Sequence, residues 1–155
     1  MDPSKELLAQ LRTDEGYKKM PYPDTECVST CGIGYNMEEN ILDLSGPELL
    51  HIYKNGMSET DAENYLCRCV KICIKEIESK FPWWSKIDGV RQDAIINVVY
   101  NLGMPKFLKF DKTIGFLAHQ RYTEAATELL DSVWAGQVHD RSKRIAQQLR
   151  TGKRA

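Results

Sequence analysis

The sequence predicts an α+β domain in which helices dominate and one small sheet lies near the N-terminus. Apolar residues recur at helical spacing over most of the chain, which indicates amphipathic helices. A segment rich in proline and glycine, from Tyr17 to about Asn36, interrupts this pattern and contains short β-prone runs. Because helices dominate and the single small sheet lies near the N-terminus, the predicted class is α+β.

The first helical pattern begins at the N-terminus. Asp2 before Pro3 predicts an N-cap followed by a proline in the first helical turn. Leu7 and Leu11 recur on one helix face, and the helix is expected to end near Gly16. Two prolines, the run 28–30 and the glycines at 32 and 34 then predict a small antiparallel sheet.

The remaining elements are expected to be helices. A short helix is predicted over Leu49–Tyr53, and the longest one over about 60–80, where Ser58 and Asp61 resemble a capping box. At about 1.5 Å per residue this helix would span roughly 30 Å, and Phe81-Pro82 should end it. Its apolar stripe consists of Ala62, Tyr65, Leu66, Cys69, Val70, Cys73 and Ile77. Asp88–Leu102 is apolar almost all round, as in a buried helix, and further helices are expected near 112–119, 122–133 and 140–150.

Length and composition limit the possible classes of protein. A chain of 155 residues is expected to form one domain, and 42% hydrophobic residues suffice for a folded core. No window approaches the roughly 18 apolar residues of a membrane span, so stable membrane insertion is not expected. The polar N-terminus lacks the apolar core of a signal peptide. We therefore expect synthesis in the cytoplasm and another route to any target outside it.

Cysteines and glycines offer three weaker alternatives. Five cysteines cannot all pair within one chain. Cys69 and Cys73 share a helix face while Cys67 points away, so buried free thiols are favoured over a metal site. Cys27 or Cys31 could act as a thiol nucleophile paired with a histidine, but no neighbouring sequence motif supports this alternative. The glycines of 32–34 resemble part of a dinucleotide loop, but the third glycine position holds Met37 and no helix opens there.

The C-terminal segment carries a run of positive charge. After Asp140 no acidic residue offsets Arg141, Lys143, Arg144, Arg150, Lys153 and Arg154. This run is either a solvated helix face and tail, or a patch that attracts an anionic polymer such as nucleic acid or bacterial cell wall.

Glu15, Asp24 and Thr30 are the candidate catalytic residues. Cleavage of a glycosidic bond requires a protonated carboxylic acid at the leaving oxygen and a second carboxylate that stabilises positive charge or activates water. A hydroxyl beside the second carboxylate can hold that water. A tight hairpin could bring the three groups to one edge, although such spacing also occurs by chance and a solvated surface is the alternative.

The sequence segments around these residues resemble those of a known protein family. LRTDEGY from residue 11, YPDTE from residue 22 and TCGIG from residue 30 resemble the phage-type lysozymes, glycoside hydrolase family twenty-four. The resemblance continues through SETDAE from residue 58, RQDAIINVVYNLG from residue 91, RYTEAA from residue 121, RSKR from residue 141 and RTG from residue 150. It covers almost the whole chain in order. The family's acid, aspartate and threonine fall on Glu15, Asp24 and Thr30 without a change of spacing.

This resemblance implies roles for particular residues. Glu15 would be the general acid, with Asp24 and Thr30 positioning and activating water. Arg141 matches the arginine that pairs with the catalytic glutamate, and a surface helix charge is its alternative. Gly34, Tyr100, Asn101 and Thr113 match substrate-binding positions of the cleft, although ordinary packing is an equal reading of Tyr100 and Thr113. Glu128 stands where the family has a neutral cleft residue.

The resemblance also implies a fold and a function. The fold would have a small lobe of about residues 15–59 carrying the sheet, a connecting helix of about 60–80, and a helical large lobe of about 81–155 that includes the first helix. The function would be hydrolysis of the β-1,4 bond between N-acetylmuramic acid and N-acetylglucosamine in peptidoglycan, causing cell lysis without a metal or cofactor. Such an enzyme would be a monomer made in the host cytoplasm. It would reach the cell wall through a holin or another export route.

Two other functions remain open. A lytic transglycosylase also uses a glutamate acid, but it needs no water-activating aspartate, so Asp24 and Thr30 argue against it. A non-catalytic binder of cell wall or nucleic acid would depend on the basic run instead. The intact catalytic set argues against that class and against a nucleic-acid partner.

Overall fold

The structure, a computed structural model, describes all residues from Met1 to Ala155. It contains nine α-helices and one three-stranded antiparallel sheet near the N-terminus, which confirms the predicted α+β class. The chain divides into two compact units, Met1–Ile72 and Cys73–Ala155. None of the helices combines the length and the apolar character needed to cross a bilayer.

The first unit contains the sheet and two complete helices. Its elements are α1 (Lys5–Glu15), β1 (Lys18–Pro23), β2 (Ser29–Gly32), β3 (Tyr35–Asn36), α2 (Gly46–Asn55) and the first part of α3 (Glu59–Lys80). The second unit is entirely helical. Its elements are the end of α3, a 3-10 turn (Trp84–Lys86), α4 (Gly89–Leu102), α5 (Met104–Phe107), α6 (Asp111–Ala118), α7 (Tyr122–Leu130), α8 (Val133–Val138) and α9 (Asp140–Thr151).

Helix α1 begins two residues later than the sequence suggested. Ser4, in extended backbone, is the N-cap, and its hydroxyl accepts a hydrogen bond of 3.0 Å from the Leu7 N–H. The carboxylate of Asp2 instead forms an ion pair with Lys71 on α3, at 3.3 Å. The predicted Asp2 cap was therefore wrong, because a serine one residue before the helix reaches an orphan N–H of the first turn.

The sheet has the order β1-β2-β3, so β1 is an edge strand. This position explains its two prolines, because an edge strand has a side on which no ladder donor is required. Lys18 pairs with Gly32 and Tyr22 with Thr30, so β1 holds a bulge between these two pairs. A bulge re-aims the side chains beside it, which matters for the functional site.

Helix α3 follows the predicted stripe. The Ser58 hydroxyl accepts a hydrogen bond of 3.1 Å from the Asp61 N–H, as in the expected capping box. The predicted stripe residues are buried except Tyr65, which is half-buried. All five cysteines are free thiols; Cys69 and Cys73 are buried, and burial raises the pKa of Cys69 to about 12. The Cys69 thiol is therefore a poor nucleophile at neutral pH.

Two details of the second unit differ from the prediction. The helix expected over 122–133 ends at Leu130, and α8 starts separately because the Ser132 hydroxyl caps it, accepting a hydrogen bond from the Ala135 N–H at 3.2 Å. The short helix α5 was not predicted. It begins after Gly103, which ends α4 at a φ of 81° and accepts a hydrogen bond from the Phe107 N–H through its carbonyl.

The basic C-terminal run is neither a uniform surface patch nor a wholly solvated face. Arg141 is buried, whereas Lys143 is exposed and contacts Asp140 only at 3.7 Å. Arg154 forms an ion pair of 2.6 Å with Asp93, whose side chain is 2% exposed. Two of these charges, Arg141 and Arg154, therefore connect α9 and the tail to α4.

The Asp93–Arg154 pair leads to a stability prediction. Replacing Arg154 with Gln leaves a buried carboxylate without this cation, so we expect the free energy of unfolding to fall by about 1–3 kcal/mol. Urea denaturation measures the change. Lys153→Gln is the matched control, because its exposed side chain makes no ion pair, and an equal effect of both substitutions would contradict the prediction.

Candidate active site

Glu15 is the last residue of α1, and the structure brings it against the turn between β2 and β3. Gly16 ends the helix at a φ of 72° and turns the chain into the sheet. Gly34, at a φ of 68°, lies so close that a Cβ atom added to it would be 3.0 Å from Glu15 Oε2. Only glycine combines this backbone conformation with this close approach. Gly34 therefore defines one wall around the Glu15 carboxyl group.

Asp24 is held by the turn that connects β1 and β2. Its Oδ1 accepts hydrogen bonds of 2.8 Å from the backbone N–H groups of both Glu26 and Val28. Its own N–H donates to the Val28 carbonyl at 2.9 Å. An aspartate that bonds the backbone two residues ahead is the usual side-chain mimic of a turn. The carboxyl group is thus fixed in orientation, and Oδ2 accepts no hydrogen bond from the protein.

Thr30 lies on β2 and is 6% exposed. Its hydroxyl donates to the Val28 carbonyl at 3.0 Å. The Val28 peptide units therefore contact both candidate residues, the N–H bonding Asp24 and the carbonyl bonding Thr30. Because the Thr30 proton is committed, its oxygen is left as a hydrogen-bond acceptor.

The Tyr22 phenol lies near the candidate carboxylates. Tyr22 is directly opposite Thr30 in the β1–β2 register, so both side chains share one face of the sheet. Burial raises the pKa of the Tyr22 phenol, and the nearby carboxylates of Glu15 and Asp24 raise it further. Both candidate carboxylates are therefore within electrostatic range of one half-buried side chain.

In the second unit, Arg141 is attached to α4. It lies in the first turn of α9, is 9% exposed, and donates from Nε to Asn97 Oδ1 at 2.9 Å. The alternative of an exposed helix charge is excluded by this burial. A pairing of Arg141 with Glu15 remains a prediction.

Asn101 lies one helical turn beyond Asn97 on the same face of α4. Its Oδ1 accepts a hydrogen bond of 2.7 Å from the indole N–H of Trp134 on α8. Tyr100 precedes it and is half-buried. The structure thus gives Asn101 a defined partner within the unit and leaves its role in binding as a prediction.

Thr113 on α6 lines a pocket of about 340 Å³ within the second unit. The residue is 4% exposed. Glu128 lines the same pocket, together with the charged residues Lys109, Asp111, Lys112 and Asp131. The structure therefore groups Thr113 with Glu128, the residue that departs from the neutral family position.

Sequence reasoning missed Asn97, Trp134 and Tyr22. Asn97 is fully buried in a helix of apolar residues, and a polar side chain in such a run indicates a hydrogen-bonded partner. That signal was present in the sequence. The contribution of Tyr22 depends on the register of β1, which the bulge sets. No group of three or more histidine, cysteine, aspartate and glutamate side chains is arranged to hold a metal ion.

Comparison with known proteins identifies the family. A family model described as phage lysozyme matches residues 12–149, a range that includes all the predicted site residues. Probable T4-type lysozyme 1 of Dictyostelium discoideum is 30% identical over 156 residues, which cover 92% of each chain. Probable T4-type lysozyme 2 of the same organism is 30% identical over 161 residues, covering 94% of each. Pre-baseplate central spike protein Gp5 of Enterobacteria phage T4 is 24% identical over 164 residues, which cover 97% of this chain and 28% of that protein.

The fold and these matches define a lysozyme-like hydrolase of cell walls. The chain belongs to the phage lysozyme family, as its sequence motifs predicted. Family membership supports a muramidase-type activity, and the helical architecture with one small N-terminal sheet agrees with it.

The contact between Gly34 and Glu15 leads to a test of the site. Gly34→Ala adds backbone strain of about 1–2 kcal/mol and pushes a methyl group against the Glu15 carboxyl. We expect at least a tenfold loss of lytic activity with a folded protein, measured by turbidity of a cell-wall suspension. Gly103→Ala is the control, because it has a comparable φ of 81° and only a distant contact, at 3.9 Å. The assignment fails if both variants lyse cell wall equally well.

Proposed function

We propose that the protein hydrolyses the β-1,4 bond between N-acetylmuramic acid and N-acetylglucosamine in peptidoglycan, with inversion at the anomeric carbon. The observation that carries this proposal is the shared bonding of Asp24 and Thr30 to Val28. It leaves two acceptor oxygens, Asp24 Oδ2 and Thr30 Oγ1, on one hairpin. Two neighbouring acceptors suit a water molecule, which offers two protons.

In the proposed reaction Glu15 is the general acid. Its proton passes to the glycosidic oxygen as the bond from that oxygen to the anomeric carbon breaks. Water attacks the opposite face of the sugar, and its oxygen forms the new bond to the anomeric carbon. Asp24 accepts the proton that the water loses, so charge and atoms balance without a cofactor.

Arg141 is proposed to orient Glu15, and its hydrogen bond to Asn97 supports this role by fixing the guanidinium. Gly34, Tyr100, Asn101 and Thr113 are proposed to contact the glycan. We further propose that the enzyme acts as a monomer. It would be made in the cytoplasm and released onto the cell wall through a holin or a comparable route.

The role of Glu15 is tested by Glu15→Gln, which preserves shape and removes the transferable proton. We expect activity on purified cell wall to fall by about 10²–10⁴-fold, as is typical for loss of a general acid. Glu6→Gln is the matched control, because Glu6 lies on the same helix and is exposed. Near-normal lysis by the Glu15 variant would refute the assignment.

The stereochemical outcome tests Asp24. If Asp24 activates water, the first product is the α anomer, and the two catalytic carboxyl groups should stand about 6.5–9.5 Å apart. Proton NMR of the product before mutarotation measures this. An early β product would mean that Asp24 attacks the sugar directly. An anhydro-sugar product, detected by mass spectrometry, would identify a lytic transglycosylase instead.

A further inference from the structure

The sheet face that carries Thr30 also carries Tyr22. Cross-strand partners point to the same side of a sheet, and the register joins these two residues directly. Asp24 follows β1 directly, and its carboxylate acts on the Tyr22 phenol, whose pKa is raised by burial, by Glu15 and by Asp24. Tyr22 therefore lies beside both Thr30 and Asp24 in one hairpin, and of these three residues it alone has no role so far.

The ring of Tyr22 is fixed, while its hydroxyl is available. Lys18 Nζ is 4.1 Å from the ring centroid, a cation–π contact between two residues of the same strand. The phenol oxygen makes no hydrogen bond within the protein. The charged or titratable groups that act on it are Lys18, Glu15, Asp24 and the Cys31 thiol. Burial and the two carboxylates raise the pKa of this phenol, which keeps it protonated at working pH.

A water held only by Asp24 and Thr30 is incompletely oriented. Asp24 Oδ1 is occupied by two backbone N–H groups, and the Thr30 proton is committed to the Val28 carbonyl. Both side chains therefore offer acceptors, which bind the two water protons. A single donor is needed to fix one lone pair of the water, so that the other is directed at the sugar.

We propose that Tyr22 is this donor: its hydroxyl holds the attacking water together with Asp24 and Thr30, and Lys18 holds its ring. This inference rests on the proposed hydrolytic function. It adds a water-binding residue to the reaction, and Lys18 acts through Tyr22 as a positioning residue. No further co-reactant is involved, since Tyr22 keeps its proton throughout.

Tyr22→Phe is the direct test, because it removes the hydroxyl and retains the ring under Lys18. With soluble peptidoglycan fragments as substrate, we expect kcat to fall about 10- to 100-fold, as for loss of one hydrogen bond to a reacting group. KM, the thermal midpoint and the positions of both limbs of the pH profile should not change. Tyr65→Phe is the matched control, since the phenol of Tyr65 is coupled to Asp61 and Glu48 rather than to the catalytic carboxylates.

A second measurement tests the proton itself. With 3,5-difluorotyrosine placed at position 22, the phenol ionises at lower pH, and activity should then decline along a new basic limb that the wild type lacks. An unchanged kcat in Tyr22→Phe, a rise in KM alone, or the absence of the new limb would each overturn the proposal. These results are separable from failure of the proposed function. If the wild type cleaves no glycan, or if Glu15→Gln is fully active, both proposals fall together.

Discussion

The peptide units of Val28 connect the two side chains on which the proposed water chemistry depends. The N–H of Val28 donates to Asp24, and its carbonyl accepts from both the Asp24 backbone and the Thr30 hydroxyl. Both functional side chains are therefore oriented by hydrogen bonds within the hairpin. Their geometry is a property of the hairpin segment 24–30 and depends on the pairing of its two strands.

The turn that fixes this geometry also contains a strained backbone conformation. Cys27 has a φ of 61°, a left-handed conformation that costs a non-glycine residue about 1–2 kcal/mol. Four hydrogen bonds close the turn around it, each contributing about 0.5–1.5 kcal/mol. The bonds to Asp24 thus stabilise a backbone that would otherwise be unfavourable. The same carboxylate supports the fold of the turn and supplies its chemistry.

The sequence predicts the parts of this fold that depend on local patterns. The α3 stripe and the Ser58 cap lie where periodicity and capping rules place them. Chemistry and family motifs identified Glu15, Asp24 and Thr30 as candidates, because a helix end and a hairpin turn can both be recognised in the sequence. Their catalytic roles stay predictions, as do the lobe boundaries. Local patterns did not predict two features. One is which of two candidate residues, Asp2 or Ser4, caps α1, and the other is the break between α7 and α8.

Long-range polar contacts were also beyond sequence reasoning. Asp93 and Asn97 lie one turn apart on α4, and both are at most 2% exposed. Each meets an arginine from the C-terminal part of the chain, Arg154 and Arg141 respectively. A basic run that looks solvated in the sequence therefore contains two cations with buried partners. Since a buried polar group without a partner costs free energy, these pairings select how α9 packs on α4.

The position of Arg141 is then a consequence of helix packing in the second unit, whereas the positions of Asp24 and Thr30 depend on their own hairpin. Substitutions that remove the buried partners of Arg141 and Arg154 should consequently reduce the stability of the second unit, while the hairpin depends on its own local hydrogen bonds.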